Sequence, residues 1–179
     1  LVVPGGVDAH THLHLPLGAV AASDDFRTGT AAAAVGGTTT LIEYVTAHRG
    51  VDPLDALATW RALAEPAAID YGFHMTLTEA AGEGVVAACI ERGVTSFKLY
   101  MAYPETLMVG DDVVADVLRA AARHGGLVTV HAESGGAIEV LRRRALAAGR
   151  TGVIEHARTR PAVVEGEAVE RLAAMVERT

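Results

Sequence analysis

VTSFKLYMAYPETLMVGDDVVADVLRAAARHGGLVTVHAES, residues 94–134, is the stretch that decides the fold. Val94–Tyr100 is a short apolar run with the length of a strand. Asp111–His124 has apolar residues at helical spacing and is stopped by Gly125 and Gly126. Leu127–His131 is again a short β-branched run. A strand, a helix and a second strand in this rhythm make a crossover unit, which joins parallel strands and lays the helix on one face of their sheet.

The same rhythm extends outward in both directions. Upstream, Leu1–Val7 reads as a strand ending at a glycine pair. Phe26–Val35 reads as an Ala-rich helix, with Ser23 and Asp24 as candidate N-caps and Gly36-Gly37 as its stop. Thr38–Val45 is β-branched and strand-like. Pro53–Leu63 is expected to be a helix capped by Asp52, with proline at its first position. Ile69–Leu77 is a strand, and Gly84–Arg92 a helix ended by Gly93. Downstream, helices are expected over Gly136–Ala148 and Pro161–Glu177. Strand and helix thus alternate about five times, which is α/β architecture with a parallel sheet. Periodicity alone leaves both an open doubly wound sheet and a barrel. No GxGxxG follows the first strand, so the dinucleotide-binding form lacks its main signature.

Composition narrows the function classes. The 179 residues are 50% hydrophobic and carry 15 Lys and Arg against 22 Asp and Glu, a net charge of −7. That length and apolar content support one domain with a real core, residues 1–179. The acidic balance argues against nucleic-acid binding. The triplet Arg142-Arg143-Arg144 lies in a helical stretch and reads as a solvated face. Cys89 is the sole cysteine, so no intrachain disulfide forms, and a reducing, cytoplasmic compartment is expected. No apolar run is long enough to span a membrane. The chain opens on Leu1, directly on a strand-like run, as expected of a piece of a longer protein.

The polar residues fall in a pattern. His10 and His12 end the first strand, Lys98 and Tyr103 end or follow the fourth, and His131 ends the fifth. In parallel α/β folds the carboxyl ends of the strands gather the active site. His10 and His12, two apart on a strand, point to one side and can reach one metal ion together; imidazole suits zinc and similar cations. The bland alternative is two polar loop residues. Lys98 lies within an apolar strand, where burial disfavours its ammonium form. A neutral amine can take up carbon dioxide as a carbamate, an anion with two oxygens able to bridge two metals. The alternative is a lysine whose head reaches solvent at the strand end. His131 is either a ligand or a satisfied structural histidine. His48, His74 and His124 read as surface or structural.

Taken together, these residues resemble the hydantoinase and dihydropyrimidinase branch of the amidohydrolase superfamily. VPGGVDAHTHLHLP (3–16) resembles the first-strand metal motif of that family, and DDFRTGTAAAAVGGTTT (24–40) the segment after it. SFKLYMAY (96–103) is similar to the segment holding a carboxylated lysine and, five residues on, a catalytic tyrosine. VTVHAES (128–134) resembles the segment with the next histidine, and HARTRPAVVEGEAVERL (156–172) the helix after that. The pieces occur in order along nearly the whole chain.

The resemblance implies a partial (β/α)8 TIM barrel, about its first five βα units. It implies two divalent metal ions, zinc foremost: His10 and His12 on the first, carboxylated Lys98 bridging both, His131 on the second. Tyr103 would bond the oxyanion formed at the amide carbonyl. The implied activity of the full-length enzyme is hydrolysis of a cyclic amide C–N bond, opening a dihydropyrimidine or hydantoin ring to an N-carbamoyl amino acid. A small cyclic amide or imide is the partner, with no nucleic acid or membrane, in a homo-oligomer, a tetramer by resemblance. The family also needs a histidine on a sixth strand and an aspartate on an eighth, beyond Thr179, so this chain alone is expected to be inactive. Dihydroorotases resemble the family but carry arginine where His14 stands, so an uncharged ring is the expected substrate. Allantoinase- or dihydroorotase-type hydrolysis, and a non-catalytic barrel scaffold with lost ligands, are the alternatives.

Overall fold

The computed structural model describes residues 1–17 and 20–179. In chain order the elements are β1 (Gly6–Thr11), β2 (Pro16–Leu17), β3 (Val20–Ala21), α1 (Phe26–Val35), β4 (Thr38–Ala47), α2 (Pro53–Ala64), β5 (Asp70–Leu77), α3 (Glu83–Glu91), β6 (Ser96–Tyr100), α4 (Asp111–His124), β7 (Leu127–His131), α5 (Gly135–Ala147), α6 (Ile154–Arg158) and α7 (Ala162–Val176). Strands β1, β4, β5, β6 and β7 form one sheet in that order, every neighbouring pair parallel. Each is followed by a helix, which gives the five βα units expected from the sequence, curled as part of a (β/α) barrel. Strands β2 and β3 pair as a small antiparallel ribbon in the loop after β1.

Register divides the sheet into two faces. Parallel partners share a face, and successive residues alternate. Met75 pairs with Phe97, and Leu99 with Val130. With Val45, Phe73 and Leu77 these face the helices and build the core. Met75, Phe97, Leu99 and Val45 are completely buried, each stabilising the fold by about 1.5–3 kcal/mol relative to exposure. Tyr44 pairs with His74, Thr76 with Lys98, Lys98 with Thr129, and Tyr100 with His131. These line the opposite, polar face. A residue on a parallel strand therefore declares its side by its partner, and every ionisable candidate on β6 and β7 falls on the face away from the helices.

Local chemistry sets the helix ends. Asp52 caps α2, accepting from the amides of Leu54 (2.7 Å) and Asp55 (3.3 Å), with Pro53 opening the helix. Gly125 closes α4 at φ 75°, a conformation that favours glycine. Two expectations need correction. The cap of α1 is Asp25, not Ser23 or Asp24. Its carboxylate accepts from the Thr28 amide (2.7 Å), and the Thr28 hydroxyl accepts from the Asp25 amide (3.1 Å), so the reciprocal bond selects it. The first strand runs over Gly6–Thr11 rather than Leu1–Val7. Pairing with β4 begins at Gly6 opposite Thr38, and Leu1 and Val2 are fully exposed. Apolarity suggested a strand from Leu1, but Pro4 lacks an amide hydrogen and ladder pairing with β4 starts only at Gly6.

Candidate functional site

The site is assembled at the carboxyl ends of β1, β4, β6 and β7. His10 lies inside β1 and His12 just past its end. Their rings are 5.2 Å apart, and both pack on Tyr44 of the neighbouring strand, at 4.6 and 5.0 Å between centroids. The Tyr44 hydroxyl is 3.3 Å from His10 Nδ1. Lys98 is 7% exposed in the middle of β6, so its head does not escape to solvent. Its Nζ is 5.9 Å from the centre of the Tyr44 ring and 5.1 Å from that of Tyr100. Tyr100 in turn stacks on His131 at 5.5 Å, and Tyr103 tilts against His131 at 5.3 Å. The sequence candidates thus form two adjoining groups: His10, His12 and Lys98 around Tyr44, and His131 with Tyr103 across Tyr100.

Electrostatics favour the neutral forms of these side chains. Burial lowers the affinity of the Lys98 amine for its proton. His10 is lowered by burial first, then by the charges of Lys98 and His74, with Asp8 opposing. His12 is lowered by burial, then by His10 and Lys98. Neutral imidazole is the form that binds a metal, and a neutral amine is the form that accepts carbon dioxide.

The donors suit a cation on a further observation. Among the described residues, neither buried His12 Nδ1 nor buried Thr76 Oγ1, on the strand residue paired with Lys98, has a hydrogen-bond partner. A buried polar atom left unpaired costs about 1–3 kcal/mol, which a bound group would relieve. Among the described residues, no three His, Cys, Asp or Glu side chains gather closely enough to hold a metal by themselves. A cation at this place would therefore need a donor beyond these side chains, and Lys98 could supply one only as a carbamate.

Tyr103 is held in an unusual backbone state. Its φ is 64°, the left-handed region that a bulky residue rarely adopts. Its carbonyl accepts from the amides of Thr106, Leu107 and Met108 at 3.0–3.1 Å, and that turn holds the conformation. The phenol is thereby presented beside His131. His14, at φ 54°, donates its amide to the Asp24 carbonyl and faces Phe26 at 6.1 Å.

Three residues around these groups carry structure: Glu43 and Glu133, which sequence reasoning passed over, and His74, which it read as surface or structural. Glu43 on β4 is 1% exposed, and one oxygen accepts from both the Thr11 hydroxyl (2.9 Å) and the Leu13 amide (2.8 Å), on either side of His12. Burial pushes its carboxyl up to about 7, against the opposing hydrogen bonds from Leu13 and Thr11. Its signal was visible: an acid within a β-branched strand is as anomalous as Lys98. Glu133 accepts from His131 Nε2 at 2.7 Å. His74 is structural: Nε2 lies 2.9 Å from the Ala9 carbonyl, so it must carry the hydrogen, and Nδ1 lies 2.5 Å from the Ser96 hydroxyl. A cavity of about 760 Å3 lies between α5 and α6 among Leu146, Val153 and Ile154, not beside these groups.

Comparison with known proteins places these features in a wider set. The Amidohydrolase family pattern matches residues 1–169. The chain is 43% identical over 180 residues to a D-hydantoinase of Geobacillus stearothermophilus, covering 98% of this chain and 38% of that protein. It is 44% identical over 173 residues to a D-hydantoinase of Streptomyces coelicolor, covering 95% and 37%. The crystal structure of a dihydropyrimidinase from Brevibacillus agri superposes with a TM-score of 0.93 at 42% identity, covering 97% of this chain and 39% of that one. The chain thus spans less than two fifths of the length of the relatives it matches.

Proposed function

Given that this chain belongs to the amidohydrolase family, we propose that the full-length protein opens cyclic amides, with a dihydropyrimidine or 5-substituted hydantoin ring as substrate and an N-carbamoyl amino acid as product. The observation that carries this reading is the placement of His10, His12 and His131 on either side of a buried Lys98 on one face of the sheet. That the similar proteins bear the names D-hydantoinase and dihydropyrimidinase supports the substrate class.

In this reading His10 and His12 would hold one divalent cation and His131 a second, with Lys98, as a carbamate, supplying a further oxygen donor. Lys98 Nζ reaches that state by adding to carbon dioxide and releasing one proton, a step that its burial favours by keeping the amine neutral. Zinc is a cation that imidazole and carboxylate donors suit, and it is the one proposed here. When bound, such cations supply Lewis acidity to a carbonyl and acidify water. The reaction adds water oxygen to the ring carbonyl carbon and breaks the adjacent C–N bond, and the nitrogen departs with a proton. Tyr103 donates its phenolic hydrogen to the oxygen that gains charge as the carbonyl carbon becomes tetrahedral. The remaining ligands and the proton-carrying group lie outside residues 1–179 in this reading, and residues 1–179 form part of one barrel domain. A homo-oligomer, tetrameric by resemblance, is proposed. So is a cytoplasmic setting, which fits the single buried thiol of Cys89, pushed up to about 11 by burial. Among the described residues, no helix is long and apolar enough to cross a membrane.

Substrate choice is tested by steady-state kinetics of the full-length protein on dihydrouracil, hydantoin and dihydroorotate. The neutral rings are expected to give the higher kcat/KM, because His14 turns toward Phe26 and no guanidinium stands at that position. Dihydroorotate as best substrate would overturn the substrate assignment. Absence of turnover on every cyclic amide would favour a non-catalytic scaffold.

A further inference from the structure

The segment His156–Leu172 matches a family pattern, yet the reading above gives it no task. Its neighbourhood supplies one. His131 Nε2 lies 2.7 Å from Glu133 Oε2. A carboxylate oxygen offers only lone pairs, so Nε2 is the ring nitrogen that carries hydrogen, and Nδ1 keeps its lone pair. The other oxygen of Glu133, Oε1, faces Arg160 Nε at 3.8 Å. Arg160 is anchored separately, its Nη1 lying 3.3 Å from both the His156 carbonyl and the His156 ring. The backbone closes the frame: the Ser134 amide donates to the Val164 carbonyl at 2.9 Å, joining the residue after Glu133 to the first turn of α7. Glu133 and Arg160 are both largely shielded, with side chains 16% and 20% exposed, so the pair is not a solvated surface contact of negligible value.

We propose that Glu133, steadied by Arg160, is a positioning residue that sets the tautomer and ring orientation of His131 so that Nδ1 is the nitrogen offered to a cation. The segment before α7 is then the brace of β7, the strand that carries His131. Tyr100 stacked on the ring and Tyr103 tilted against it restrict rotation, and Glu133 selects which edge points where. A carboxylate behind a ligating imidazole raises ligand basicity, and losing such a partner costs about 10- to 100-fold in metal affinity. The proposal rests on His131 being a ligand, as put forward above, but its tautomer assignment stands on geometry that needs no metal.

The experiment uses the full-length protein and three variants, Glu133→Gln, Glu133→Leu and Arg160→Met. Glu133→Gln keeps a carbonyl acceptor for Nε2–H, whereas Glu133→Leu keeps bulk without an acceptor. The first readout is nitrogen NMR of labelled histidine in the metal-free protein, the His131 signal being assigned by its loss in His131→Asn. The parent and Glu133→Gln are expected to hold the Nε2–H tautomer, and Glu133→Leu to show a mixture. The second readout is zinc affinity by chelator competition. Glu133→Leu is expected to lose about 10- to 100-fold, Arg160→Met less, and Glu133→Gln least, while the melting temperatures of the metal-free proteins stay together. An unchanged tautomer and unchanged zinc affinity in Glu133→Leu would overturn the proposal. So would equal zinc loss in all three variants accompanied by equal loss of metal-free stability, which is the mark of a merely structural residue. A parent that holds the Nε2–H tautomer but binds no zinc defeats the metal reading and leaves the tautomer assignment standing.

Discussion

Lys98 and Glu43 show how much a single residue can declare. Each is an ionisable side chain inside a strand that is otherwise apolar or β-branched, and each is buried, at 7% and 1% exposure. The cost of burying such groups makes either residue an announcement of local chemistry. Lys98 was read as a site residue and Glu43 was not, because the sequence shows no partner for Glu43: Thr11, at the end of β1, and Leu13, in the loop after it, lie 32 and 30 residues away. The pH behaviour of Glu43 follows from its burial. Its folded carboxyl sits at about 7, raised from an ordinary 4.5. Between those values the folded state holds a proton that the unfolded state has released. Its contribution to stability is therefore full below pH 4.5 and lost as pH rises toward 7, by about 1.4 kcal/mol per pH unit at most. Glu43→Gln keeps an acceptor for Thr11 and Leu13 and removes the titration. Denaturant midpoints measured from pH 5 to 7.5 are expected to fall more steeply in the parent than in this variant. Parallel curves would show that Glu43 does not titrate in this range.

At the scale of elements, helices and central strands were legible in the sequence because their signals are local. Asp52-Pro53 opens α2, Gly125 closes α4, and β-branched runs mark β4 and β7. The first strand was displaced because pairing, not apolarity, fixes an edge strand, and its partner β4 is distant in sequence. The β2–β3 ribbon and the five-residue α6 were missed because two strand residues or one helical turn carry too little period to detect. The loop carrying Tyr103 was located, but its geometry was not, since the left-handed state at Tyr103 depends on the turn to Met108 and on α5 packed behind it. Gly135 begins α5 and permits that packing. A side-chain carbon there would meet the Met101 carbonyl at 2.7 Å, Met108 Sδ at 2.7 Å and Ala102 Cα at 2.9 Å. Two of these are backbone, so the segment itself must move. Gly135→Ala is expected to cost about 1–3 kcal/mol in stability and to lower kcat in the full-length protein by displacing Tyr103. Gly136→Ala, with open space around it, is expected to leave both nearly unchanged. Equal effects at the two positions would show that the close approach at Gly135 is not what orders the loop.

On the scale of the whole molecule, the sheet has two edges left unpaired among the described residues. β1 and β7 each have one strand neighbour, and Val7 and Leu127 on them are 66% and 62% exposed. Unpaired parallel strands with exposed apolar residues are templates for association. The 179-residue chain, prepared by itself, is expected to self-associate by light scattering and to show no amidohydrolase turnover. A stable, active monomer would contradict the assignment of the missing ligands to residues outside this span. The general plan of the sheet was legible in the strand and helix rhythm; which face each site candidate occupies was not, because it depends on register between strands. The central claim is that His10, His12, Lys98 and His131 share one metal-holding site. Anomalous diffraction at the zinc edge, from crystals of the zinc-loaded full-length protein, tests it most directly. Two peaks are expected, one at His10 and His12 and one at His131, with carbamate density on Lys98 between them. Zinc bound elsewhere, or an unmodified Lys98 with no peak beside it, would contradict the account.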